Sequence, residues 1–150
     1  MKLATIAIVT LLATAAQAQD TRVWTVETPK GGDAWLRYAT PQMSDQVAAF
    51  RCVPKSGQVQ VLVRLEKALT ARIPLSVTLT SAPASATLRG VAEPNPGSGG
   101  SIAATEFSTR APVVAAFKRT GVIGVTALGE TLALPAAPKS AVRKFFGACK

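Results

Sequence analysis

The sequence predicts a mainly β domain, a β-sandwich or open barrel of eight or nine antiparallel strands, with two short helices late in the chain. Three observations predict this class. Apolar and polar residues alternate in several stretches, most regularly over residues 58–66. Clusters of Gly, Pro, Asn and Asp separate these stretches, as turns do. After residue 108 the apolar spacing changes to the three- and four-residue period of a helix.

The predicted strands differ in how clearly they are patterned. The stretch 58–66 is the clearest, because its apolar side chains share one face and only Leu62 interrupts the polar face, which is typical of a half-buried antiparallel strand. Pro74 predicts that its strand begins at an edge or at its first residue. Residues 94–101 are predicted to form a long, flexible hairpin loop. The predicted strands span residues 21–28, 34–39, 46–53, 58–66, 73–80, 85–93, 102–107, 122–128 and 131–134.

Two helices are predicted near the C-terminus. In the first, Ser108 or Thr109 is the expected N-cap, Pro112 lies in the first turn and Gly121 marks the end. The second follows Pro135, and its apolar residues recur at i, i+3, i+4 and i+7, which forms one stripe on a helix. That stripe consists of Val142, Phe145, Phe146 and Cys149, and the other side carries Lys139, Arg143, Lys144 and Lys150.

The only two cysteines are predicted to form a disulfide. Cys52 shares a strand face with Ala48 and Phe50, and Cys149 lies on the apolar stripe of the last helix, so both thiols point towards a core. In an oxidising compartment, two cysteines are most simply one disulfide. Closing this loop stabilises the fold by about 4–5 kcal/mol in the chain-entropy model.

The first 18 residues have the pattern of a cleaved signal peptide. Lys2 precedes an apolar run over residues 3–13, and Ala16 and Ala18 supply the small residues that a signal peptidase recognises. An uncleaved membrane anchor is the alternative, but polar residues rather than a basic cluster follow the run. Cleavage leaves a single domain, residues 19–150, in the periplasm or outside the cell. The sequence predicts no transmembrane segment after cleavage.

The remaining domain is basic. Loss of Lys2 leaves 16 of the 17 Lys and Arg residues against eight Asp and Glu, a net charge of +8. Such a charge favours an acidic partner, either an acidic protein or an acidic envelope polymer. Solvated surface charge is the alternative. Nucleic acid is not expected, because the basic residues are scattered and only eight aromatic residues are present.

The sequence offers few combinations of residues that could form an active site, so we expect a non-catalytic domain without metal or cofactor. The chain has no histidine, which excludes a Ser-His-Asp triad and any histidine metal site. A Ser/Lys hydrolase remains an alternative, although Ser140 and Lys139 are neighbours that a helix would not bring face to face. Glu106 is either a buried acid that pairs with a residue such as Arg110 or a solvated carboxylate on an edge strand.

Three aromatic residues near the start of the domain are the candidate binding residues. Trp24, Trp35 and Tyr38 could grip a sugar or a peptide, and core packing is the alternative for each of them.

Two segments carry a resemblance to known proteins. One is Phe50-Arg51-Cys52, followed by the strand that begins at Gln58. The other is a predicted helix over residues 111–119, a hairpin over 121–134 and a helix over 141–149 that ends in cysteine. This arrangement is similar to that of VasI-type accessory proteins of type VI secretion and of invasion-associated locus B-like proteins, which are small exported periplasmic proteins. Residues 135–137 stand where VasI-type proteins tend to place a glycine.

The resemblance implies a non-catalytic accessory domain of the bacterial cell envelope and carries over no functional residue. Together with the export signal, it makes an exported binding or accessory domain the leading hypothesis. One alternative is an inhibitor of a host or rival hydrolase, in which residues 94–101 plug an active site. The other is the histidine-free Ser/Lys hydrolase.

Overall fold

The computed structural model describes residues 20–150, and the predicted signal peptide lies outside them. Nine antiparallel strands and two late helices confirm the mainly β class. The strands form a single curled sheet in the order β1-β2-β3-β4-β7-β6-β5-β8-β9, which corresponds to the open-barrel alternative. The elements are β1 (Val23–Glu27), β2 (Ala34–Ala39), β3 (Gln46–Cys52), β4 (Gln58–Leu65), β5 (Ile73–Ser81), β6 (Ala84–Asn95), β7 (Gly100–Ser108), α1 (Pro112–Thr120), β8 (Gly124–Ala127), β9 (Glu130–Ala133) and α2 (Lys139–Ala148).

The core lies between one face of the sheet, the core face, and the two helices. Helix α1 contacts β5 and β6, whereas α2 contacts β1 and β2, and the helices touch each other. The predicted alternation of β4 is confirmed, because Val59, Val61, Val63 and Leu65 are all buried on the core face. The opposite face, which the helices do not cover, is called the outer face. Among the described residues, 20–150, no helix is long and apolar enough to cross a membrane.

Strand β5 lies between two partners of unequal length. It pairs with β6 along its whole length, but with β8 only from Thr78 to Thr80. Pro74 therefore lies opposite Val91 of β6, in the part of β5 that has no partner on its other side. A residue without a backbone N–H is tolerated there, and the prediction for Pro74 is confirmed.

The prediction of a long loop over residues 94–101 is wrong. Strand β6 continues to Asn95 and β7 starts at Gly100, which leaves a turn of only four residues. Pro94 pairs with Ser101, and Asn95 pairs with Gly100. A Cβ at position 100 would overlap the carbonyl oxygen of Leu65, so this glycine serves close strand packing rather than flexibility.

The start of α1 also differs from its prediction. The N-cap is Ala111, with Pro112 as the first helical residue, and no side chain caps the helix. Ser108 instead accepts a hydrogen bond from the backbone N–H of Arg110, 3.2 Å away, in the turn before the helix. The predicted end is confirmed, since Gly121 has φ of 74° and its N–H donates to the carbonyl of Phe117 at 2.8 Å.

The predicted disulfide is present and joins β3 to the end of α2. Cys52 and Cys149 are buried, and their Cα atoms lie 5.8 Å apart, within the range that a disulfide allows. The bond lies beside a chain of aromatic contacts in which the ring centroids of Phe50 and Phe117 are 5.7 Å apart and those of Phe117 and Phe146 are 6.2 Å apart. Helix α2 is thus fixed both covalently and by packing.

Candidate functional site

The two helices form the most one-sidedly charged part of the described chain. From residue 108 to the C-terminus there are seven basic residues and a single acidic one, Glu130. The Glu130 carboxylate accepts hydrogen bonds from the backbone N–H groups of Glu66 and Lys67, at 2.9 and 2.8 Å, beyond the end of β4. All five ion pairs within residues 20–150 instead involve residues at or before β4. The basic residues from 108 onward are Arg110, Lys118, Arg119, Lys139, Arg143, Lys144 and Lys150.

Four of these cations lie on α1, on α2 or just after α2. At 100° per residue, Lys139 and Arg143 lie about 40° apart on the helical wheel of α2, with Phe146 beside them, and Lys150 follows two residues after the helix ends. From α1, the Lys118 ammonium lies 4.9 Å from the centroid of the Phe146 ring. We call Lys118, Lys139, Arg143 and Lys150 the cationic seam. The sequence alone did not reveal it, because a seam requires the two helices to lie side by side.

The electrostatics of Lys118 show how close these charges come. Burial lowers the pKa of Lys118, and the positive charge of Lys150 lowers it further. Within the described chain no carboxylate forms an ion pair with either lysine. The repulsion between these ammonium groups is therefore uncompensated, and an anionic partner would relieve it.

The predicted aromatic binding residues do not form one surface. Trp24 and Tyr38 lie on the core face with ring centroids 5.4 Å apart, and the Trp24 indole N–H donates to the carbonyl of Pro135 at 2.9 Å. Tyr38 is buried, and its hydroxyl donates to Asp20 at 2.6 Å. Trp35, which alternates with these residues, points to the outer face. The binding role of the three stays a prediction.

Trp35 lies between two arginines on the outer face. The guanidinium carbon of Arg37 is 4.1 Å from the ring centroid, and that of Arg51 is 5.6 Å from it. Both cations are already paired, Arg37 with Glu27 at 2.9 Å and Arg51 with Asp33 at 2.5 Å. The outer face at Trp35 therefore combines an aromatic ring with two cations that each have a carboxylate partner.

A second charged network lies at the end of the sheet where β1 and β3 begin and β4 ends. The Nε of Arg22 donates to one oxygen of Asp45 at 2.7 Å, and Nη1 of Arg64 donates to the other oxygen. These two hydrogen bonds hold the pKa of Asp45 below its ordinary value of 3.8, and the bond from Arg22 has the larger effect. The hydrogen bond from Tyr38 similarly lowers the pKa of Asp20.

Acid titration tests this network. Because the pKa of Asp45 is lower in the folded chain, its stabilisation is present above the unfolded pKa and is lost as pH falls through the folded pKa. We expect Asp45→Asn to lower the free energy of unfolding by about 1 kcal/mol at pH 7, since partly exposed pairs are screened. In urea titrations at several pH values, the difference from wild type should shrink towards zero below pH 4.

Glu93, which is exposed and forms no ion pair within residues 20–150, gives a matched control for this experiment. Glu93→Gln should change the free energy of unfolding by less than about 0.5 kcal/mol at any pH. A difference between Asp45→Asn and wild type that does not vary with pH would contradict the assigned pKa shift.

The remaining sequence candidates lie apart from one another. Glu106 is exposed on β7 and forms no ion pair with Arg110 among residues 20–150, which matches the solvated alternative. The prediction of an edge strand is wrong, because β7 lies between β4 and β6. Ser140 and Lys139 are both exposed in the first turn of α2. The part of the chain that the structure describes contains no group of three or more Asp, Glu, Cys or His residues that could hold a metal ion.

In comparisons with known proteins, no family model, no curated protein and no solved structure matches the chain.

Proposed function

We propose that this chain is an exported, non-catalytic binding or accessory domain of the bacterial cell envelope that binds an acidic protein or an acidic envelope polymer through the cationic seam. One observation carries the proposal: the Lys118 ammonium lies against Phe146 of α2 and is close enough to Lys150 for that charge to lower its pKa, and within residues 20–150 no ion pair involves Lys118, Lys139, Arg143 or Lys150. An acidic partner would supply the missing negative charge.

The seam is also rigid, which favours binding. Helix α2 is held by the disulfide at Cys149 and by the buried rings of Phe145 and Phe146, so the backbone that carries the cations is fixed before a partner arrives. A preorganised surface loses less entropy on binding than a flexible one. Because Phe145 and Phe146 face the core, they are not available to stack on bases, and a carboxylate-rich partner suits the seam better than nucleic acid.

Export is supported from two sides. The pattern of residues 1–18 predicts a signal peptide. The disulfide suits an oxidising compartment outside the cytoplasm. The accessory role rests in addition on the resemblance to VasI-type and invasion-associated locus B-like proteins. The inhibitor alternative gains no support, because the turn between β6 and β7 has only four residues and none of them is large.

Charge reversal on α2 tests the proposal. Binding of the exported protein to linear polyglutamate and to a linear polyuronate is measured by calorimetry at low and at physiological salt. We expect the double variant Lys139→Glu/Arg143→Glu to bind both polymers at least tenfold more weakly, because two attractive charges become repulsive. Binding by the wild type should weaken as salt is added, since salt screens exposed charges.

A second double variant separates the seam from net charge alone. Arg72→Glu/Arg89→Glu makes the same change in net charge at two exposed positions, before β5 and on the outer face of β6. We expect it to keep most of the wild-type affinity. An equal loss in both double variants would overturn the seam as the site, and no binding by wild type at low salt would overturn the proposed partner class.

A further inference from the structure

A cavity of about 550 Å³ lies at one end of the curled sheet, and no residue of the seam lines it. Arg22, which precedes β1, and Leu132 on β9 both line it, so the two edge strands approach each other there. Arg64 and Glu66, at the end of β4, and Glu130 on β9 complete its charged lining. Its size falls within the range of sites for small molecules.

One wall of the cavity carries two guanidinium groups in fixed positions. Asp45 accepts from Arg22 through one oxygen and from Arg64 through the other, which holds the two side chains next to each other. Arg22 also lies 3.4 Å from Asp20. Neither Nη2 atom has a hydrogen-bond partner within residues 20–150. Two adjacent guanidiniums with unused donors suit a carboxylate.

The opposite charge comes from two glutamates. The Glu130 carboxylate is held by the backbone N–H groups of Glu66 and Lys67, one on each oxygen. Glu66 lines the same cavity, and its side chain forms no ion pair within the described residues. Carboxylates at these positions suit an ammonium group.

The remaining walls leave room for a compact ligand. Gly99 at the end of the turn between β6 and β7 and Gly100 at the start of β7 present backbone without side chains. Val47, Leu65 and Leu132 add apolar surface for carbon atoms. A site that combines a few fixed polar groups with an apolar wall is typical of small-molecule binding.

From this arrangement we infer that the cavity binds a small zwitterion, an amino acid or a short peptide, with its carboxylate on Arg22 and Arg64 and its ammonium on Glu66 and Glu130. This goes beyond the proposed function, because it concerns a different ligand class and a different part of the molecule.

Titrations with small probes of defined charge test the inference. The exported protein is titrated with alanine, dialanine and trialanine, and with propionate and propylamine as probes that carry one charge each. We expect saturable binding of at least one zwitterion, with both single-charge probes at least tenfold weaker. Tightest binding of alanine would assign a free amino acid as the ligand, and tightest binding of dialanine or trialanine would assign a peptide.

One exposed residue separates a zwitterion site from a plain anion site. Glu66→Gln removes a carboxylate whose side chain forms no ion pair, so the midpoint of thermal unfolding should stay unchanged. Zwitterion binding should weaken at least tenfold, while binding of propionate should not weaken. Glu93→Gln, on the outer face, is the control and should change neither.

The inference is overturned if no zwitterion binds at millimolar concentration, or if Glu66→Gln leaves zwitterion binding unchanged. Lys139→Glu/Arg143→Glu, which tests the cationic seam, should leave zwitterion binding intact. This variant therefore distinguishes a failure of the proposed polymer binding at the seam from a failure of the proposed zwitterion binding in the cavity.

Discussion

Replacing both cysteines, Cys52→Ala together with Cys149→Ala, is expected to lower the free energy of unfolding by about 4 kcal/mol. The bond joins residues 97 positions apart, so its loss returns a large amount of conformational entropy to the unfolded chain. The buried site also loses the contacts of two sulfur atoms against α2 and β3. The loss is measured by urea unfolding, in which the midpoint and the slope together give the free energy.

Reduction of the wild-type protein provides the control for this variant. The reduced protein should lose stability to a similar extent, because it lacks the same bond but keeps both side chains. A loss below about 1 kcal/mol in both the reduced protein and the double variant would contradict the structural role of the bond.

Phe117→Ala is expected to lower the free energy of unfolding by about 4 kcal/mol, the cost of a large cavity in a packed core. Phe117 on α1 is fully buried, and it contacts Phe50 of the sheet and Phe146 of α2. Its removal therefore weakens the packing of the sheet, α1 and α2 against one another. Urea unfolding of the variant measures this loss.

A control at the end of the same helix shows whether burial is the cause. Val122, two residues after α1, is 47% exposed, and Val122→Ala should change the free energy of unfolding by less than about 0.5 kcal/mol. If Phe117→Ala cost no more than Val122→Ala, the ring would not be the core contact that the structure assigns to it.

The local periodicity of apolar residues predicted much of the fold. Alternation along β4 predicted which side chains are buried, because successive residues of a strand point to opposite faces. The spacing of Val142, Phe145, Phe146 and Cys149 placed Cys149 on the buried side of α2 in the same way. The disulfide followed from these two patterns together, with no knowledge of strand order.

Features that depend on residues far apart in the sequence could not be predicted from local periodicity. Gly99 and Gly100 have the composition of a flexible loop, but Gly100 is required because β7 packs closely against the end of β4. The N-cap of α1 was misplaced because Ser108 satisfies a turn before the helix. Asp45 became part of a network only once Arg22 and Arg64 were brought to it by the sheet.

The candidate site shows the same limit. The sequence contains one usable signal, the excess of seven basic residues over one acidic residue after residue 107. Spacing on α2 could align Lys139 with Arg143, but Lys118 joins them only because α1 and α2 are neighbours. Trp24, Trp35 and Tyr38 are close in sequence, yet strand alternation sends Trp35 to the face opposite the other two.

Mapping where an acidic polymer binds tests the proposed function most directly. Backbone and side-chain NMR signals of residues 19–150 are followed as linear polyglutamate is added at low salt. The cationic seam predicts the largest shifts at Lys118, Lys139, Arg143 and Lys150. Largest shifts on the outer face, around Trp35 or Arg89, with the seam unchanged, would contradict it.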